Sequence, residues 1–354
     1  MRRVSSQIVR DERGATLLFV ALSMVMLLGF AAFAIDTGAL YEERRSLQNG
    51  ADAAVIAIAE DCARGLPCNF GAANATAAAY ADLNADDGAA DIDELELNAF
   101  AGTIRVITST ETSGGGTVLQ PIFAQFIGFN GATVTAEASA AWGGPEGLDT
   151  LPLVISACEL NRPPMNGDVN NLDLWPGFFP SPPPSYGPVM YQFHSGTNNA
   201  DDCNAQAGQD ADGDGRLPGG FGWLDPDPGS APDCAIMTDG DGWADGDPGA
   251  SPPGVPGNNT VCSASWFRDN FYQKFLLVPW FDDVNGLGGS NARYHIEGYV
   301  GFFVTGYNFG GQYKENSPCG NGSVRCVGGY LFRAVVEGVP GGPNQGVVVF
   351  GFTG

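Results

Sequence analysis

Basic residues are scarce in this chain. Sixteen Lys and Arg stand against 40 Asp and Glu, and the net charge is −24. A chain this acidic lacks the basic footprint that phosphate binding requires, so nucleic acid is excluded as a partner. Histidine is nearly absent. His194 and His295 are the two, both in strand-like runs with no nucleophile motif beside them. No Gly-x-Ser-x-Gly elbow and no Gly-x-x-x-x-Gly-Lys-Ser/Thr loop occurs, which argues against an α/β-hydrolase nucleophile and a nucleotide-driven motor. No two Cys have the close spacing of a structural zinc site. Charge as a whole is low, at 16% of residues, but 44% hydrophobic and 11% aromatic content is too rich for a disordered chain. A length of 354 residues accommodates about two domains.

Residues 15–35 carry no charge. As a helix rising about 1.5 Å per residue, they match about 30 Å of hydrocarbon. Arg2, Arg3, Arg10 and Arg13 precede them, offset only by Asp11 and Glu12. The positive-inside rule therefore predicts a cytoplasmic segment at 1–14, a span at 15–35, and the bulk outside. Ala32-Phe33-Ala34 would also fit a signal-peptide cleavage site, but a signal peptide has a shorter apolar region, of about 7–15 residues. All eight Cys follow the span, as disulfides in an oxidising compartment would. Cys62/Cys68 and Cys319/Cys326 are the expected local bridges. Cys158, Cys203, Cys234 and Cys262 admit three pairings that sequence does not separate.

From Asp36 to Ala63 there is no Pro, and Leu40, Leu47, Ala51, Ala54 and Ile58 keep one apolar stripe. The span is thus predicted to continue as one helix until Gly65 and Pro67 end it. A second, Ala-rich helix is predicted over 70–83, strands over 103–110 and 132–142, and a short apolar turn or helix over 122–127. Residues 1–142 hold 13 Gly and 2 Pro, whereas residues 143–354 hold 38 Gly and 22 Pro. The boundary is placed at Gly143–Asp149. Strands are predicted beyond it at 151–157, 189–194, 275–281, 294–307, 329–337 and 346–352. The fold class is therefore α+β: a headpiece over 36–142, then a β-rich, disulfide-stapled domain over 143–354 built as an antiparallel sandwich or barrel.

Asp210, Asp212 and Asp214, followed by Gly215, have the alternate-carboxylate spacing of half a calcium loop, but position 12 is Phe221 and not Glu. Calcium is the one cofactor this pattern admits, the other reading being a solvated acidic loop. Asp282, Asp283 and Glu297 could supply a carboxylate pair for glycoside hydrolysis, although an acidic chain offers many such pairs. Trp175, Phe178, Phe179, Trp223, Trp243, Trp266 and Trp280, with Trp142 at the border, could stack on a sugar or a partner, or fill a core.

Arg13-Gly14-Ala15, the apolar span, Phe33-Ala34-Ile35-Asp36-Thr37-Gly38 and the run Arg44 to Ala54 resemble the N-terminal Tad module of TadE/TadG-like proteins, which serve tight-adherence (Flp) pilus assembly in bacteria. The most specific part is Leu47-Gln48-Asn49 followed by Ala51-Asp52-Ala53-Ala54. The Gly/Trp-rich stretch Gly220 to Asp225 is similar to ectodomains of actinobacterial members. The Asp-x-Ser-x-Ser string of von Willebrand-type domains is absent, so metal-dependent adhesion of that type is not implied. Phe19 stands where type IV prepilins have Glu, so processing by prepilin peptidase is not implied. The resemblance implies a single-pass, non-enzymatic envelope protein whose partners are the membrane and other pilin-like or Tad-system proteins. In that setting Asp36 and Asp52 would lie where the helix meets its neighbours, or simply in solvent. The alternatives are a surface adhesin or binding module rigidified by calcium, and a membrane-tethered hydrolase.

Overall fold

The computed structural model describes residues 13–145, 150–160, 169–179, 183–193, 203–204, 216–217, 219–225, 234, 242–247, 252–253, 262–285, 292–320, 322–342 and 346–353. Asp210, Asp212, Asp214 and His194 lie outside them. The chain divides into two compact units. The first is residues 1–58, 69–97 and 104–139, and the second is 59–68, 98–103 and 140–354.

The first unit is organised on α1 (Arg13–Ala63), one unbroken helix of 51 residues. Its N-terminal part is long and apolar enough to cross a bilayer. Leu17, Phe19, Met24, Leu27, Phe30 and Phe33 are all more than half exposed, so none of the described residues covers this stretch. An apolar surface bare on every side needs a nonaqueous solvent, and the chain is anchored in a membrane through it.

Beyond the span the helix gains an inner face. Leu47, Ala51, Ala54, Val55 and Ile58 are buried. Helix α2 (Phe70–Asn84), opened by the Asn69 side chain accepting from the Ala72 N–H, buries Ala73, Ala77 and Ala81. That four-residue spacing is a ridge of methyl groups only, so the helix can come close to α1. A Cβ on Gly50 would sit 3.1 Å from the Cα of Ala81, and the Ser46 hydroxyl donates to the Asn84 carbonyl at 2.6 Å. Strands β1 (Ala90–Asn98), β2 (Thr103–Thr110) and the start of β3 (Thr135–Pro145) are hydrogen-bonded in that order. Thr108, fully buried, donates to the Leu47 carbonyl at 3.0 Å. Strand β1 is absent from the sequence reading because Asp-Glu-Leu-Glu lacks β-propensity. It is an edge strand, where charge is tolerated, and Arg105 on β2 pairs with its Glu94.

In the second unit, the strands are β4 (Leu153–Ser156), β5 (Val189–Gln192), the pair β6 (Cys203–Asn204) and β7 (Arg216–Leu217), then β8 (Phe221–Leu224), β9 (Trp243–Asp247), β10 (Phe275–Asn285), β11 (Arg293–Gly310), β12 (Tyr313–Glu315), β13 (Cys326–Phe332), β14 (Ala334–Glu337), β15 (Pro340–Gly342) and β16 (Val347–Phe352). Helix α3 (Ala157–Leu160) follows β4, and α4 (Ala264–Asn270) precedes β10. Strands β10, β4, β8, β9 and β11 pair in sequence, and β11 pairs back with β10, closing a five-stranded ring. Strands β13 and β5 extend it from β11.

Two features depart from the antiparallel expectation. Strand β4 runs parallel to β10, and β14 runs parallel to β16. The single strand expected over 329–337 is also two strands. The backbone changes partner at Arg333, whose N–H donates to Asp173 while that of Ala334 donates to Gly346. The ring is filled by aromatics, with Trp223 edge-on to Phe309 at 4.8 Å and Phe267 of α4 edge-on to both. Such contacts add about 0.5–1.5 kcal/mol per pair beyond burial.

The segments 59–68 and 98–103 belong to this unit for local reasons. The Arg64 carbonyl accepts from Arg333. Gly102, at φ +66°, presses against Trp142 so closely that a Cβ would overlap the Trp142 carbonyl. Disulfides join Cys62–Cys68, Cys319–Cys326 and Cys234–Cys262, and no described cysteine is a free thiol.

The helix contact at Gly50 gives a test. Gly→Ala in an open helix stabilises by about 0.5–1 kcal/mol, and Gly38 has open space where its Cβ would go. Gly38→Ala is therefore expected to stabilise by that amount. Gly50→Val, forced against Ala81, is expected to destabilise by about 1–3 kcal/mol. Denaturant melts of both variants in detergent check the pair.

Candidate functional site

Three constellations remain as candidates once the core is set aside. The first is at the membrane end of the headpiece. Asp36 follows the uncharged stretch directly and is only 7% exposed. Its carboxylate accepts from the backbone N–H groups of Ile122 (2.8 Å), Phe123 (3.1 and 3.2 Å) and Ala124 (2.6 Å). These donors open the 3-10 turn Ala124–Ile127, so the first orphan N–H groups of that turn are satisfied by a side chain 86 or more residues earlier. Burial works against the ionised carboxyl, but the three N–H donors outweigh it and hold Asp36 below the ordinary carboxylate range. The sequence placed Asp36 against neighbouring helices or in solvent. It is turned inward, where backbone donors from the 122–124 loop compensate its charge. Beside it is a groove of about 350 Å³ lined by Phe33, Leu40, Leu119, Pro121, Ile122 and Phe129.

The other motif residues are placed along the same helix. Leu47, Ala51 and Ala54 are buried in the contact face, and Ala53 is half-buried. Gln48 donates to Asp52 at 2.8 Å and to the Glu137 carbonyl at 2.9 Å, so it ties α1 to β3. Asn49 is exposed. The small residues of the motif are those that a close helix crossing requires, which is a packing role and not a chemical one.

The second constellation joins β10 and β11. His295 Nδ1 lies 2.6 Å from Asp282 Oδ1. Ligand atoms of Asp282, His295 and Glu297 are all within 4.8 Å of one another. Burial pushes the Glu297 carboxyl up, Asp282 adds to this, and His295 works against it. The antiparallel register, with Asp283 opposite His295, brings the three together. Asp283, offered by the sequence as part of the same pair, is instead buried and accepts from the N–H of Val284. This arrangement could hold one divalent cation. The sequence singled out Asp282 and Glu297 but not His295, because the register of β10 on β11 that brings the histidine to them is a tertiary fact.

The third is an aromatic cleft of about 730 Å³ in the second unit. Trp175 stacks on Phe275 at 4.2 Å, and Phe179 on Phe303 at 4.4 Å. Phe178 is largely exposed. Gln273 and Asn316 line the cleft and are the two non-glycine residues with positive φ among the described residues, at 54° and 43°. Such conformations cost about 1–3 kcal/mol and gather at functional sites. Here they are held by the Gln273 N–H donating to Val304 and the Asn316 amide donating to Thr305. Of the other aromatics considered for stacking, Trp223, Trp280 and Trp142 are core, while Trp243 and Trp266 are half-buried.

The Asp36 contact gives a test with a sign. Because the folded-state pKa is depressed, the contribution is present at neutral pH, above the unfolded value of about 3.9. It is lost as pH falls through the lower folded value. Asp36→Asn removes the charge at all pH values. Hydrogen exchange at the Ile122, Phe123 and Ala124 amides is expected to speed up in that variant at neutral pH. Unchanged protection would show that the carboxylate does not hold the loop.

No curated protein and no solved structure matches the chain. A family model does match its N-terminal segment, and the matched residues are those of the span and the packing stripe of α1. Residues 14–60 match the Tad family, described as Flp pilus-assembly TadE/G-like, from Gly14 at the start of the span to Glu60 in the last turns of the helix.

Proposed function

We propose that this chain is a single-pass, non-enzymatic component of Tad/Flp-type pilus assembly or anchoring. Its N-terminus is cytoplasmic and everything after Asp36 lies outside. One observation carries the reading. The family match over 14–60 coincides with a single structural device, a helix that leaves the bilayer and then binds its own headpiece. The arginines before the span support the orientation, since Lys and Arg are retained on the cytoplasmic side. The disulfides support an outside location, since they persist in oxidising compartments. A non-enzymatic role is supported by the family and by what the motif residues do, which is pack and hydrogen-bond. The partners would be the membrane and other pilin-like or Tad-system proteins, met through α1 and the headpiece.

A second reading, a surface-binding module, is favoured by the aromatic cleft. Its stacked rings and the polar groups of Gln273, Lys274, Thr305 and Asn316 suit a ligand with an apolar face and hydroxyl or amide edges. Structural calcium at Asp210, Asp212 and Asp214 would belong to that reading.

Fractionation of sheared cells tests the first reading. The intact N-terminus is expected in the membrane fraction, and deletion of the gene is expected to abolish pili. A chain released with an N-terminus near Ile35 would overturn it. Normal pili with poor attachment, reproduced by Phe178→Ser, would favour the second reading.

A further inference from the structure

Resting on the membrane-anchored reading, we propose that the loop 119–129 is a second membrane contact: it lies at the boundary of headgroups and acyl chains beside α1 and packs against phospholipid. The depth of the loop follows from Asp36. Residues 15–35 rise about 31 Å as a helix, which matches the hydrocarbon thickness. Asp36 therefore sits where the apolar core ends. The N–H groups of Ile122, Phe123 and Ala124 are within 3.2 Å of its carboxylate, so the loop backbone is at that same level.

The loop has the chemistry that this level demands. No charged residue occurs from Thr112 to Ala136, in a chain of net charge −24. Phe126 is 83% exposed, Ile122 59% and Phe129 43%, so the loop presents the apolar surface of three large side chains. In water this patch is unfavourable, and such patches mark interaction sites.

Most of the loop's backbone N–H groups are satisfied internally, which favours contact with lipid. Asp36 takes three N–H groups. The N–H groups of Phe126, Gly128 and Phe129 donate to Phe123, Gln125 and Ala124. The groove of about 350 Å³ between Phe33, Leu40 and the loop is apolar-walled and suited to an acyl chain. The occupant follows from continuity: Phe33 lines the groove and is also part of the span, so the surface that meets lipid continues into the loop. Contact of this interfacial kind reaches about 5–10 Å into the boundary.

Site-specific photocrosslinking of the full chain in vesicles of phosphatidylethanolamine and phosphatidylglycerol carrying a labelled phospholipid tests this. Benzoylphenylalanine replaces Phe126, Phe19 in the span, or Leu83 on the exposed side of α2. Labelled lipid is expected on the Phe126→benzoylphenylalanine and Phe19→benzoylphenylalanine proteins and not on the Leu83 variant. Adding Asp36→Ala, which frees the loop, is expected to cut the adduct at position 126 several-fold and to leave that at position 19 unchanged. Lipid adduct at position 19 without one at position 126 would overturn the loop contact while keeping the anchor. An adduct of position 126 with a polypeptide would overturn it in favour of a protein partner. Absence of lipid at position 19 would defeat the anchored reading itself, and the loop contact with it.

Discussion

A single helix here has to satisfy two solvents. Over its N-terminal part α1 must be apolar on every side, because hydrocarbon surrounds it. Beyond Asp36 it must carry a narrow stripe of small and apolar residues, because a headpiece covers only one face. The change is abrupt, and Asp36 stands at the change. A buried carboxylate is stable only if donors reach it, and the loop at 122–124 provides three. The same contact therefore satisfies a buried carboxylate and tethers a long loop to the helix. The Tad segment reads physically as that device: a span, a charged collar and a packing stripe.

The packing stripe accounts for the motif's composition. Gly50 is small because α2 approaches it at Ala81 so closely that the two helices meet at the level of their backbones, and Ala51 and Ala54 are buried on the same helix. Gln48 and Asp52 hold one another and reach β3. A family signature on a membrane helix can thus be a record of intramolecular fit, with contacts to other proteins left to the surfaces that stay bare.

The second unit solves a different problem. It is rich in Gly and Pro and poor in long helices, so its stability has to come from aromatic packing and cross-links. The ring formed by β10, β4, β8, β9 and β11 encloses Trp223, Phe221, Phe267 and Phe309, while Trp175, Phe178 and Phe179 remain at the cleft. The same residue types therefore serve both core and surface, and only the closure of the ring assigns each to its place.

Much was legible in the chain alone. The uncharged run at 15–35, the unbroken periodicity to Ala63, the ends of α2 and the apolar strands follow from local patterns of hydrophobicity and from breakers, which act over a few residues. The short-range bridges Cys62–Cys68 and Cys319–Cys326 are legible for the same reason. What the sequence could not determine depends on residues far apart in the chain. The inward turn of Asp36 depends on donors 86 or more positions away. The meeting of His295 with Asp282 and Glu297 depends on a strand register, and the parallel pairing of β4 with β10 joins strands far apart in the chain. Local propensity carries no information about such partners; only the tertiary structure, by satisfying buried charge and backbone hydrogen bonds together, decided them.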